Sequence, residues 1–146
     1  NDPALVKRIH APTIYSTHYV TDEIWQVEGG MCSGSPCTTV VNSIVNQLAC
    51  YTILAVLGYD INQCYVVSYG DDCVLSVPEV RDISKLSYYF RLFFGMTATA
   101  SDKESDITWL APMEIEFLKR TPAFLPGTRK IIGVLDKEVL EGKIQW

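Results

Sequence analysis

Two adjacent carboxylates, Asp71 and Asp72, follow Tyr69-Gly70 between two short β-branched, aromatic runs, Cys64 to Tyr69 and Cys73 to Val77. A Gly/Asp turn between such runs predicts a β-hairpin. Paired carboxylates at its tip can converge on a hard cation, which prefers oxygen ligands, and Mg²⁺ with few protein ligands keeps positions for water and phosphate oxygens. The plain alternative is a solvated acidic turn. The apolar flanks Val66, Val67, Val74 and Leu75 favour a tip standing on a buried platform.

A second group lies upstream. Gly29-Gly30-Met31-Cys32-Ser33-Gly34 is a loop of small residues, and Ser35-Pro36 reads as a helix start, with Ser as cap and Pro at the first position. Glycines allow close approach to a ligand, and a helix N-terminus offers unpaired N–H groups. Thr38 and Asn42 are one turn apart and share a helix face. A cap followed by two ordinary polar helix residues is the alternative.

The elements that must hold these groups read as follows. Val40, Val41, Ile44, Val45, Leu48, Tyr51, Thr52 and Ala55 recur at helical spacing up to a stop at Gly58. Pro78 to Phe94 predicts a second helix with Val80, Ile83, Leu86, Phe90 and Phe93 on one stripe, ended by Gly95. Met96 to Ala100 predicts a strand, Ser101 to Asp106 a polar loop, and Ile115 to Arg120 a further strand. Pro126-Gly127 predicts a turn and Lys130 to Val134 the returning strand, with Asp136 capping a last helix from Lys137. Residues 3–20 allow little placement. The order gives an α+β architecture, helices packed on one face of an antiparallel sheet.

Composition narrows the function classes. The 146 residues are 48% hydrophobic and 20% charged, enough for one sizeable core. Residues 1–73 carry 2 basic and 7 acidic side chains, and residues 74–146 ten of each. That balance disfavours a generic phosphate-coating module and suits a cation site in the acidic half. The five cysteines include no C-x-x-C pair, which disfavours zinc and suits reduced thiols in a cytosolic chain. The longest apolar run, Leu48 to Leu57, is too short to span a bilayer, so no transmembrane segment is expected. The start at Asn1, without Met, reads as a piece of a longer polyprotein.

Ser33-Gly34-x-x-x-Thr38-x-x-x-Asn42 followed by Tyr69-Gly70-Asp71-Asp72 resembles motifs B and C of viral RNA-dependent RNA polymerases, picornavirus-like in type. Thr99-Ala100-Ser101-Asp102-Lys103 looks like motif D, and Phe117-Leu118-Lys119-Arg120 like motif E. Gly29-Gly30-Met31 and Ile144-Gln145-Trp146 add to the likeness, which covers roughly residues 28–146. Ser35-Pro36-Cys37 departs from the small, proline-free sequence usual there.

The resemblance implies part of a right-hand polymerase fold: an antiparallel palm sheet over 1–135, lacking motif A, and the start of the thumb at 136–146. It implies RNA-directed RNA synthesis from nucleoside triphosphates on a template and primer, with Mg²⁺ (or Mn²⁺) at Asp71 and Asp72. Ser33, Gly34, Thr38 and Asn42 would bind the nucleotide, Lys103 would be the general acid, and Phe117, Leu118, Lys119 and Arg120 would hold the primer. Lys103 could instead form a surface ion pair with its acidic neighbours. Upstream, Asp2 and Asp22-Glu23 sit in no strand of the motif A kind, so the remaining palm, fingers and thumb would lie elsewhere in the polyprotein. The expected location is the host cytoplasm, at replication complexes. A reverse-transcriptase-like palm, or an inactive binding domain, are the competing readings.

Overall fold

The computed structural model describes residues 2–5, 11, 15–31 and 35–144. Its elements run β1 (Tyr15–Val20), β2 (Glu23–Glu28), α1 (Thr38–Val56), a 3₁₀ turn (Ile61–Gln63), β3 (Tyr65–Tyr69), β4 (Asp72–Ser76), α2 (Leu86–Phe94), β5 (Arg120–Phe124), β6 (Ile131–Leu135) and α3 (Lys137–Ile144). The class is α+β, as the sequence predicts. Among the described residues, however, the strands pair only as three separate antiparallel hairpins, β1–β2, β3–β4 and β5–β6, rather than as one sheet.

The core lies between α1, the β3–β4 hairpin and α2. Ala49, Cys50, Ile53 and Leu54 of α1 pack with Cys64 and Val66 beneath β3 and with Ile83, Leu86 and Phe90 around α2. This is not the face of α1 that the spacing picks out. Val40, Ile44 and Leu48 are 54–63% exposed, and Ala55 is exposed as well. The helix is apolar nearly all round, so periodicity cannot choose a side. The hairpin chooses it: the side bearing Ser43, Asn46, Ala49 and Cys50 has the small and hydrogen-bonding residues that let a strand approach closely.

The helix ends behave differently. Gly58 (φ +84°) closes α1 as expected, with its N–H on the Ala55 carbonyl and the Tyr59 N–H on the Leu54 carbonyl, a Schellman arrangement. At the other end Ser35-Pro36-Cys37 forms a turn, and the helix begins two residues later than predicted, at Thr38 with Cys37 as N-cap. By length and composition α1 could cross a membrane, since its 19 residues carry no charge and reach a mean hydropathy of 1.4. The ten-residue count from Leu48 to Leu57 therefore understates the segment, because it excludes the uncharged polar residues before it. Here α1 serves as the core helix beneath β3.

The second helix is shorter than predicted. Residues 78–85 are held out of it by side-chain contacts: the Asp82 carboxylate accepts the Ser84 N–H, Arg81 pairs with Glu79 and donates to the Gly58 carbonyl, and Trp109 donates its indole N–H to the Arg81 carbonyl. Local carboxylate-to-backbone bonds of this kind compete with helix. Val80 is consequently 77% exposed and Phe93 49%, while Ile83, Leu86 and Phe90 are buried. Met96 to Ala100 forms no strand; it runs beside α2, where the Ser87 hydroxyl donates to the Ala98 carbonyl at 2.8 Å.

The strand predicted over Ile115 to Arg120 is replaced by a tight reversal. Phe117 and Arg120 exchange both backbone hydrogen bonds, and Leu118 and Lys119 between them take φ of +53° and +63°. Strand β5 starts only at Arg120, and Pro122 sits opposite Gly133. The Pro126-Gly127 turn and the return strand fall within a residue of expectation. The β1–β2 hairpin, turning at Thr21 (φ +56°), was not anticipated, and it places Glu23 at the start of a strand.

Candidate functional site

The Gly70-Asp71 turn joins β3 to β4, with Tyr69 paired to Asp72. Gly70 occupies the first turn position at φ +65°, where a two-residue hairpin of this kind calls for glycine. Along β3 the side chains alternate. Val66 and Ser68 face α1 with their partners Leu75 and Cys73, while Tyr65, Val67 and Tyr69 are 56–69% exposed on the outer face. The platform beneath the acidic tip is thus buried on one side and open on the other.

Three residues of α1 hold the tip from below. The Ser43 hydroxyl accepts the Gly70 N–H at 2.8 Å and donates to the Thr39 carbonyl at 2.6 Å. The Ser43 carbonyl accepts the Ser68 hydroxyl at 2.9 Å. The Asn46 amide donates to the Asp71 carbonyl at 2.8 Å, with a longer contact of 3.5 Å to the Gly70 carbonyl. Cys50 completes the seam, its Sγ 3.8 Å from Cys73 Sγ and 3.7 Å from Asn46 Oδ1. The hydrogen bond to Cys73, burial and the nearby Cys73 sulfur push the Cys50 thiol well up. The Gly70 N–H and the Asp71 carbonyl are thus bonded to the helix, and Asp71 and Asp72 are exposed at the tip. Sequence reasoning missed Ser43 and Asn46. Polar residues recur along this helix (Thr39, Asn42, Ser43, Asn46, Gln47), and nothing in their types singles these two out.

A cleft of about 950 Å³ opens in front of the tip. It is lined by Asn42, Asp71, Asp72, Lys103, Phe117 and Lys119 among others, with Leu118 at its margin. Residues selected from four separate stretches of sequence thus share one cavity. Lys103 stands exposed at φ +64°, in a turn where the Asp102 carboxylate accepts the N–H groups of Glu104 and Ser105, both at 3.0 Å. Those bonds, Ser105 first, hold the Asp102 carboxyl below its ordinary value. Among the described residues no ion pair engages Lys103.

Other predicted residues lie apart. Thr38 is half-buried at the start of α1 and does not line the cleft. Arg120 points to the β5–β6 hairpin, donating to the Gly133 carbonyl at 3.3 Å and lining a separate apolar cavity of about 410 Å³. Phe117 is half-buried, whereas Leu118 is 40% exposed in the turn. Ser33 and Gly34 lie outside the described residues.

The donors present suit a hard divalent cation. Asp71 and Asp72 offer carboxylate oxygens, and among the described residues no group of three or more His, Cys, Asp or Glu gathers to complete a shell. That is a partial ligand set, of the kind Mg²⁺ tolerates when water and phosphate oxygens fill the remainder.

An α+β chain that presents two carboxylates from a hairpin tip, seated on a long helix, matches the fold of a solved polymerase. The Sicinivirus 3Dpol RNA dependent RNA polymerase superposes with a TM-score of 0.81 at 22% identity, over 99% of this chain and 31% of that one. The family is set by sequence: the profile of the viral RNA-dependent RNA polymerases matches residues 2–146, and the chain belongs to that family, in its picornavirus-like branch. It is 44% identical over 144 residues to the genome polyprotein of Ljunganvirus 1, and 38% over 146 residues to that of Human parechovirus 2 (strain Williamson). Human rhinovirus 3 follows at 36% over 111 residues, 74% of the chain. The chain spans only 5–7% of the length of these polyproteins.

Proposed function

We propose that this chain carries the nucleotidyl-transfer centre of an RNA-directed RNA polymerase, which extends an RNA primer on an RNA template during viral genome replication. Residues 1–135 would form part of the palm and 136–146 the beginning of the thumb. The remaining palm, the fingers and most of the thumb would come from elsewhere in the same polyprotein, and the basic surfaces that hold RNA would belong to those parts. The observation that carries the reading is the single cleft shared by Asn42, Asp71, Asp72, Lys103 and Lys119.

Within it, Asp71 and Asp72 would hold Mg²⁺, or Mn²⁺ in its place. Such a cation, when bound, lowers the pKa of the primer 3′-hydroxyl and neutralises triphosphate charge. Asn42, on the helix wall, would face the incoming nucleotide and read its ribose hydroxyl together with Ser33 and Thr38, with Gly34 in the same nucleotide-binding group. As the 3′-oxygen bonds to the α-phosphorus and pyrophosphate departs, Lys103 donates a proton to the leaving group. Its exposed position on a strained turn allows the side chain to swing. Lys119, with Phe117 and Leu118, contacts the primer strand near its end, where a phosphate contact positions the strand without reading its sequence. Arg120 supports the turn from behind. The setting would be the host cytoplasm, at replication complexes.

The test is primer extension on an RNA template by the full-length polymerase and its Asp71→Ala variant, with Mg²⁺ and with Mn²⁺. Loss of activity by about a hundredfold or more is expected for the variant, the scale of removing a transition-state charge stabiliser. Equal rates would remove the cation from this turn, and a preference for deoxynucleotides would move the enzyme to a reverse-transcriptase-like class.

A further inference from the structure

We propose that Cys50 and Cys73 form an oxidation site: a peroxide converts the two thiols to a disulfide that ties α1 to β4 directly behind the Gly70-Asp71-Asp72 turn. The sulfurs are 3.8 Å apart, in contact across the helix–strand seam, and a disulfide would close that gap to about 2.05 Å. The two partners differ in access. Cys73 is exposed and open to a small oxidant, whereas Cys50 is 1% exposed and reached only through its partner. Cys64, buried at 4%, donates to the Asp60 carbonyl, and no hydrogen bond joins it to another thiol among the described residues. The site is therefore a pair with an order of events, an accessible sulfur oxidised first and a buried one that resolves it.

The chemistry balances with hydrogen peroxide as oxidant. The Cys73 sulfur takes one peroxide oxygen, the O–O bond breaks, and a sulfenic acid and one water result. The Cys50 sulfur then attacks the Cys73 sulfur, the S–O bond breaks, the S–S bond forms, and the hydroxyl leaves as a second water with the Cys50 proton. The two thiols give up two electrons, and the peroxide is reduced to water.

The consequence follows from the hydrogen-bond seam. The Cys50 sulfur also lies 3.7 Å from Asn46 Oδ1, and the amide of the same Asn46 side chain holds the Asp71 carbonyl. A disulfide removes the Cys50 donor and draws in the strand that begins at Asp72, so the carboxylate pair shifts against the helix. That consequence for catalysis rests on the function proposed above; the bond itself does not.

The experiment uses the full-length polymerase treated with hydrogen peroxide, free thiols then blocked, and peptides cut on either side of Asp72 mapped by mass spectrometry. A linked pair of peptides carrying Cys50 and Cys73 is expected, cleaved by dithiothreitol. Primer extension should fall by about tenfold, the scale expected from misplacing a reacting group, and recover on reduction. Cys50→Ala and Cys73→Ser should each keep their own untreated rate through peroxide. Absence of the linkage while Cys37 is oxidised overturns the site. Linkage without loss of rate, or equal inhibition of parent and variants, overturns its effect on the turn. Should the untreated parent itself fail to extend a primer, the function proposed above falls, and the peptide map alone decides the bond.

Discussion

At the scale of single residues, the turn is positioned by side chains that carry no charge. Ser43 supplies the acceptor for the Gly70 N–H, and Asn46 the donor for the Asp71 carbonyl. Ser43→Ala would leave that N–H without a partner at a half-buried position, at a cost of about 1–3 kcal/mol. Asn46→Asp should do more damage to activity than to stability. It sets a carboxylate against the Asp71 carbonyl and adds negative charge beside Asp71 and Asp72, although the side chain keeps its shape. Denaturant midpoints and primer-extension rates, measured together on the full-length polymerase, separate the two effects. The expected outcome is a stability loss with a modest rate loss for Ser43→Ala, and a larger rate loss for Asn46→Asp. Rates at parental level in Asn46→Asp would show that the turn holds its geometry without α1. The carboxylates and Asn42 were legible in the sequence because they sit in a recurrent spacing. Ser43 and Asn46 were not, because what they bind is backbone of a strand more than twenty residues away, and backbone partners leave no trace in side-chain types.

At the scale of elements, two turns at the rim of the cleft carry backbone strain at lysines. Leu118 and Lys119 both adopt positive φ in the two-residue turn between Phe117 and Arg120. Side chains with a Cβ pay roughly 1–2 kcal/mol per residue there, and glycine does not. Lys119→Gly should therefore stabilise the full-length polymerase in thermal or denaturant unfolding by about 1 kcal/mol. It should also weaken binding to a primer–template duplex and reduce the salt dependence of that binding by about one phosphate contact. A variant that is both more stable and undiminished in RNA binding would leave the strain without a function. The turn at Lys103 is stabilised by the Asp102 carboxylate, whose pKa lies below the ordinary 3.8. A depressed carboxylate contributes above its unfolded value and loses that contribution as pH falls through the folded one. Protection of the Glu104 and Ser105 amides, relative to their intrinsic exchange rates, should thus fall only below about pH 4, and in Asp102→Ala it should be absent at every pH. The hairpins β3–β4 and β5–β6 and the end of α1 were legible because turn glycines mark them. The strand expected over 115–120 was not a strand, because positive φ at Leu118 and Lys119 is invisible in residues that rarely adopt it. The first turns of the second helix were lost to a local bond of Asp82 and tertiary bonds of Arg81 and Trp109, which overrode a favourable apolar stripe.

At the scale of the whole molecule, the apolar face that periodicity assigned to α1 and the face that the fold buries are different, and the difference has a physical reading. Val40, Ile44 and Leu48 form an exposed row on α1, and Tyr65, Val67 and Tyr69 another on the outer side of β3. A helix apolar on both sides is the pattern of an element enclosed by protein on both sides. Contiguous exposed apolar rows are the kind of surface that contact with further chain would cover. The chain covers 31% of the polymerase whose fold it shares, so chain to cover those rows is available in a protein of that length. On the proposed function, the stripe Val40–Ile44–Leu48 would be a core stripe of a larger assembly than these 146 residues, which would account for the buried face that periodicity misassigns. Leu48→Lys distinguishes the two situations. In the 146-residue chain the lysine would meet water, and the change in unfolding free energy should stay within about 0.5 kcal/mol. In the full-length polymerase the same ammonium would be buried without a partner, and the loss should reach about 3 kcal/mol or more, with the cleft and its activity disturbed through α1. Denaturant unfolding of both lengths, each with and without the substitution, gives the comparison. Equal tolerance at both lengths would mean that this face of α1 is solvent-facing in the complete enzyme, and the apolar row would then need another occupant. A large penalty confined to the longer protein would identify α1 as the central helix of the palm, buried on one side by the acidic hairpin and on the other by chain outside these residues.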